Sequence, residues 1–212
     1  MENPVIIFGA NALGRAAKEI FENNEVVVYG FLDDNKSLHK SELDEVVVLG
    51  DTDDDGFLKL IGKKCEAFIA IDDIKLRKNL VNVLKEVRHV QAVNAIHKNS
   101  LISKRASIGH GNFIDFGSYV GPGSTIGSYC LINNKAIISG ECTLGDYIQV
   151  GIGSNINANV TIEDEVFIGS GVTIISGVTV GKGARIGAGS VVIAPVKAGE
   201  TIFGNPAQKV SK

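Results

Sequence analysis

The sequence contains no tryptophan, and aromatic residues make up only 6% of it. Such a chain is suited to a narrow core of small and branched side chains. Its three cysteines, Cys65, Cys130 and Cys142, form no CxxC pair and no metal-ligand spacing. That argues against a disulfide framework or a metal site and points to a reducing, cytoplasmic setting. No apolar run approaches the ~20 residues needed to span a bilayer. The segment Pro4-Val5-Ile6-Ile7-Phe8 follows the N-terminus with no basic n-region and no cleavage site. Neither a membrane span nor a secretory signal is therefore expected. Positive charge is not in excess: the net charge is -3, which leaves no footprint for nucleic acid or an anionic membrane.

What the chain does have is a repeat. From Ile96 to Val192 every sixth residue is aliphatic, seventeen times without a miss. Two residues before most of these lies a small or β-branched residue, among them Ser118, Ser124, Cys130, Cys142, Ser154 and Ser190. A fixed six-residue period is the mark of a parallel β-helix. Each hexad makes one flat wall and three walls close a triangular coil, so 96–195 holds a little over five coils of eighteen residues. Cys130 and Cys142 read as inward core residues. Gly204-Asn205-Pro206-Ala207 cannot continue the pattern.

Residues 1–95 read differently. Strands are expected at Val5–Phe8, Val26–Leu32, Val46–Leu49, Ala67–Ile71 and Val90–Val93. Helices are expected after Gly9-Ala10-Asn11-Ala12-Leu13-Gly14-Arg15 and from about Ile74 to Glu86. Alternating strands and helices mean a small parallel α/β sheet of Rossmann type. Gly9, Gly14 and Arg15 lie where a strand opens into a helix, so backbone N–H groups and a helix N-terminus can face a phosphate. The alternative is a plain tight turn. Asp33 and Asp34 end the second strand, where carboxylates can accept from a base N–H or a ribose hydroxyl, or simply cap a turn. The acidic run Asp51–Asp55 reads as a solvated loop, not a metal site.

These pieces in this order resemble the bacterial sugar O- and N-acyltransferases of the sialic acid O-acetyltransferase and bacillosamine acetyltransferase type. The resemblance rests on Gly9–Arg15, Gly30-Phe31-Leu32-Asp33-Asp34, and Ala70-Ile71 with Arg77. It continues through Asn94-Ala95-Ile96-His97-Lys98, the hexads and the terminal Gly-Asn-Pro-Ala. It implies a left-handed β-helix, a homotrimer, a nucleotide sugar on the N-terminal domain (1–95), and acyl-CoA along the helical domain (96–212). The active site is then expected between neighbouring subunits. For the donor, acetyl-CoA or another acyl-CoA, it points to Gln149, Gly169, Gly187, Ala188 and Gly189; no metal is implied.

The sequence departs from that family at the reacting centre. The family's His-Glu-Cys-x-x-Gly stretch aligns with Gly140-Glu141-Cys142-Thr143-Leu144-Gly145, so the histidine is Gly140. A second histidine, near the donor thioester, is Gln149. Ala12 and Leu13 replace the usual glycine and histidine, and Asp72-Asp73 replaces Gly-Asn. Of the four histidines, His97 is expected to pack or cap at the start of the helix and His110 lies on another wall. Glu141 is left as the titratable group at the motif, either orienting an amine as a weak base or lying idle at the surface. General base catalysis contributes typically ~10²–10⁴-fold, which a partly neutral amine forgoes more easily than a hydroxyl. The expectation is an acyl-CoA-dependent acyltransferase acting on a nucleotide-linked amino sugar in surface polysaccharide or glycan synthesis. The rival expectations are a silent trimeric member that binds ligand or serves as scaffold, and a transferase with another acceptor.

Overall fold

The computed structural model describes residues 3–210. The chain divides into two units, 1–95 and 96–212, each considered by itself.

In the first unit, β1 (Val5–Phe8), β2 (Val28–Leu32), β3 (Glu42–Leu43), β4 (Val46–Gly50) and β5 (Glu66–Ile69) form one sheet in the order β3-β4-β2-β1-β5. Only β3 is antiparallel to its neighbour. β1 is fully buried, as an apolar run in the centre of a parallel sheet must be. Helix α1 (Ala12–Asn23) covers the sheet with Ala17, Ile20 and Phe21, and the Phe21 ring meets Phe68 edge-on at 5.6 Å. Its N-cap is Asn11, whose side-chain oxygen accepts from Gly14 N–H. A short α2 (Asp55–Leu58) and α3 (Ile74–Val83) follow, capped by Asp54 and Asp73.

Three sequence expectations change here. The acidic run is partly structural, since Asp54 caps α2 through Gly56 N–H. The second helix is α-helical only to Val83 and continues as a π-turn over Leu84–Arg88, closed by His89 in the left-handed conformation. Val90–Val93 is not a strand; Val93 N–H reaches Ala67 C=O, but no ladder follows.

The second unit is a left-handed parallel β-helix whose two-residue strands stack into three sheets. From Leu101 to Val192 the register is eighteen residues, with Tyr119 beside Leu101 and Ile137, and Leu131 beside Phe113 and Gln149; the last coil is two residues shorter, with Arg185 beside Thr201. From Ile114 to Val192 every sixth residue is at most 1% exposed. Burying each such side chain contributes ~1.5–3 kcal/mol, which drives closure of the coil. Ile96, Ile102 and Ile108 are only partly buried against this column. The small inward residues bind the next coil. Ser124 Oγ donates to Ser139 C=O and accepts from Cys142 N–H, Cys142 Sγ faces Asn157 C=O, and Ser154 Oγ donates to Gly169 C=O. They satisfy corner groups that an apolar side chain would leave bare.

The corners carry a second six-residue series. From residue 111 to 189 every sixth residue has φ between +58° and +76°. Eight of these are glycine, but Tyr129, Lys135, Glu141, Tyr147, Asn159 and Glu165 are not. The helix ends in a hairpin, Thr201–Gly204 paired antiparallel with Ala207–Lys209. Gly204-Asn205-Pro206-Ala207 is its turn.

Candidate functional site

The α/β unit has a cleft of about 350 Å³ at the carboxyl ends of its parallel strands. Gly9 follows β1, Asp33 and Asp34 follow β2, Thr52 follows β4 and Ile71 follows β5, and all of them line it. Sheet order reverses between β1 and β5, and such a switch point is where open α/β sheets hold ligands. Helix α3 adds Leu76 and Asn79; Leu76 is 56% exposed, an apolar surface left to a ligand.

The two aspartates are fixed before any ligand arrives. Asp33 accepts from Ala10 N–H at 2.8 Å through Oδ2 and from Asn35 N–H at 2.9 Å through Oδ1. Asp34 Oδ1 accepts from both the N–H and the hydroxyl of Thr52. Asp33 thus ties the β1 loop to the β2 loop. Gly9 and Gly14 serve the same junction: a β-carbon on Gly14 would sit 2.0 Å from Gly9 C=O, and one on Gly9 2.5 Å from Ala70 C=O. Gly14 is buried against that turn. Arg15 points elsewhere, its Nε 3.6 Å from Asp44 Oδ2 on the surface. Asp73 faces its own helix, accepting from Leu76 N–H. Thr52 and Asn79 were not singled out from sequence. The rule that picks out Asp33, a polar residue just past a parallel strand, also picks out Thr52.

The β-helix has its own cleft, about 220 Å³. Gln149, Asn133, Phe167 and Gly169 line it, so two of the five expected donor contacts come together. Asn133 is anchored by its Nδ2–H to Val150 C=O. Gly169 lies on the backbone of Ala188, where a β-carbon would be 2.6 Å from the nitrogen. Gly187 is covered by the Phe203 ring, whereas Gly189 faces open space.

Glu141 sits at a left-handed corner, φ +58°, exposed, with its N–H bonded to Pro122 C=O. Gly140 beside it has ordinary φ; a β-carbon there would lie 3.0 Å from Pro122 C=O. No imidazole fills the place. His110 is exposed at a different corner, its N–H on Ser128 Oγ. His97 is buried and accepts from Asn99 N–H at Nδ1, with its ring edge-on to Phe116. Cys142 is fully buried, and burial pushes its thiol above the usual range. Among the described residues no group of three or more His, Cys, Asp or Glu is placed to hold a metal ion.

Comparison with known proteins fits both units. Residues 4–84 match the PglD N-terminal domain and residues 159–194 the bacterial transferase hexapeptide. No curated protein matches. Among solved structures, a histidine-to-alanine variant of GDP-perosamine N-acetyltransferase from Caulobacter crescentus, in complex with CoA and GDP-perosamine, is 27% identical. The match covers 100% of this chain and 99% of that one, with a TM-score of 0.89. WeeI from Acinetobacter baumannii is 26% identical over 98% and 99% of the two chains, with a TM-score of 0.81. The acetyltransferase domain of PglB from Neisseria gonorrhoeae, in complex with acetyl coenzyme A, shares the fold at 21% identity. That match has a TM-score of 0.88 over 99% and 100% of the chains. The chain carries a PglD-type N-terminal domain and bacterial transferase hexapeptide repeats, and it is similar end to end to solved nucleotide-sugar acetyltransferases.

Proposed function

We propose that the protein transfers an acyl group, acetyl in the simplest case, from acyl-CoA to the amine of a nucleotide-linked sugar in glycan or surface polysaccharide synthesis. The observation that carries this reading is the end-to-end match to GDP-perosamine N-acetyltransferase, a protein solved with CoA and GDP-perosamine. The cleft at Gly9, Asp33, Asp34 and Thr52 is the proposed nucleotide site, with the fixed carboxylates accepting from base or ribose. The cleft at Gln149 and Gly169 is the proposed donor site, continuing over Ala188 and Gly189. We assign a homotrimer, with the reacting centre completed between subunits, and a cytoplasmic location, where acyl-CoA is made and used.

The chemistry follows from what stands at Gly140. The amine nitrogen attacks the thioester carbonyl carbon, the C–S bond breaks, and the nitrogen's proton leaves while CoA departs as thiol. With glycine at position 140 no side chain there takes that proton, so an amine in its neutral form is the acceptor this centre suits. A sugar hydroxyl would have to be deprotonated first. Glu141, beside Gly140, is the residue assigned to orient the amine. Proximity of bound reactants supplies rate without a base.

Release of CoA thiol is measured with acetyl-CoA and a panel of GDP-, UDP- and dTDP-linked amino sugars, with product mass read alongside. Acetylated product from at least one amino sugar, and none from the matching hydroxyl sugar, is expected. No product from any acceptor, together with no binding of acetyl-CoA, overturns the reading and leaves a silent scaffold.

A further inference from the structure

On the wall that carries Gln149, the outward residues run Leu131, Gln149, Phe167, Arg185, one per coil and in register. The Arg185 guanidinium lies over the Phe167 ring, 4.6 Å from its centroid. Phe167 in turn lines the Gln149 cleft. Arg185 is exposed and, among the described residues, makes no ion pair or hydrogen bond to a carboxylate. Two of the lysines described at this end of the helix are held in ion pairs, and a third lies near a carboxylate. Lys182 faces Asp164 and Glu165, Lys209 faces Glu200, and Lys197 lies beside Glu200. In a chain of net charge -3, a guanidinium with no carboxylate partner, stacked on a residue that lines a cleft, stands apart.

We infer that Arg185 is an anion-binding residue that takes a phosphoester of a phosphorylated ligand. Stacking on Phe167 holds the guanidinium plane by one face and leaves its edge of N–H donors free. A fork so held matches phosphate oxygens in pairs and loses little freedom on binding. Cation–π contact also offsets part of the cost of taking the charge out of water. The location favours the donor, because Arg185 stands two coils, about 10 Å, along the axis from Gln149. The diphosphate or the ribose phosphate of CoA is then the group held. The nucleotide sugar carries the same chemistry and is the other source. The donor assignment rests on the proposed function; the anion site does not.

The test measures binding of CoA, dephospho-CoA, pantetheine, adenosine 3′,5′-bisphosphate and a nucleoside diphosphate to the full chain, with Arg185→Gln and Arg185→Lys beside it. Both variants should melt as the wild type does, because the side chain is exposed. Arg185→Gln should weaken CoA about tenfold or more, the scale of a lost charge-assisted hydrogen bond, and leave pantetheine unchanged. Arg185→Lys should fall between, since charge remains but the fork is lost. If dephospho-CoA is already weak and insensitive to the change, the ribose phosphate is the group held. Loss on the nucleoside diphosphate alone keeps the anion site and moves its source to the acceptor. Arg185-dependent binding of adenosine 3′,5′-bisphosphate without any acetyl transfer keeps the site and sinks the transferase reading. Equal affinities in wild type and Arg185→Gln for every phosphorylated probe, or no binding of any of them, overturn the inference.

Discussion

The Glu141 carboxylate lies across Gly123, one coil earlier, so closely that a β-carbon on Gly123 would come 2.3 Å from its Oε1. Gly123 also has φ +73°. Gly123→Ala therefore meets two obstacles at once: a left-handed backbone that L side chains resist, and a displaced carboxylate. Expected is a loss of ~1–3 kcal/mol in denaturant unfolding. A fall in acyl transfer should accompany it if Glu141 orients the acceptor.

Glu141 itself holds a conformation that glycine adopts without strain. Glu141→Gly should stabilise the helix by up to ~1 kcal/mol and lower transfer to the amine. Stability gained with activity untouched would show that the carboxylate has no part in the reaction.

The empty place at Gly140 can be refilled. A histidine there needs its β-carbon 3.0 Å from Pro122 C=O, which a shift of a few tenths of an ångström relieves. Gly140→His should raise transfer at neutral pH, by about 10²-fold if general base catalysis is recovered. It should also add a limb near pH ~6.5 to the rate profile. An unchanged profile in a folded variant would mean that proton removal does not limit the natural enzyme.

How much of this was legible in the sequence depends on the physical origin of each feature. The aliphatic column was plain, because burial selects Ile, Val and Leu regardless of neighbours, and Ile114 to Val192 are buried as their spacing requires. The left-handed corners were not, since Tyr129, Lys135 and Glu141 look like ordinary surface residues and only the closed coil forces their φ positive. The cleft in the α/β unit was half legible: Asp33 and Asp34 follow a strand, but that Asp33 ties two loops together through Ala10 N–H depends on register. Arg185 gave no signal, because its meaning comes from Phe167, eighteen residues away and one coil below.

The inward cysteine and serine make a further prediction about the core. Ser124→Ala removes the hydroxyl that donates to Ser139 C=O and accepts from Cys142 N–H. It should cost ~1–3 kcal/mol by leaving buried backbone groups bare. Cys142, buried and with its thiol pushed up by burial, should resist iodoacetamide in the native chain and react on unfolding. Rapid labelling of native protein would place this coil outside the stable core.

Acid should act on the terminal hairpin first. Glu200 accepts from Lys197 N–H and from the Lys209 ammonium, and these hold its carboxyl below the ordinary value. A carboxyl lowered in the folded state stabilises above the unfolded value and loses that contribution as pH falls through the folded one. The melting-temperature gap between wild type and Glu200→Gln should therefore be present near neutrality and shrink as acid protonates the carboxylate. A gap independent of pH would show that Glu200 acts by packing alone.

Because each coil between Leu101 and Val192 touches only the coils before and after it, through one eighteen-residue register, the length of the helical unit is quantised. Inserting or removing eighteen residues keeps every side chain on its wall and every corner at its corner. Six would preserve the inward and outward alternation but turn everything beyond it by one face, carrying Gln149 and Arg185 to a different wall from Phe113. Divergence in this architecture is then expected to proceed by whole turns, each one moving whatever lies beyond it along the axis by a single fixed step.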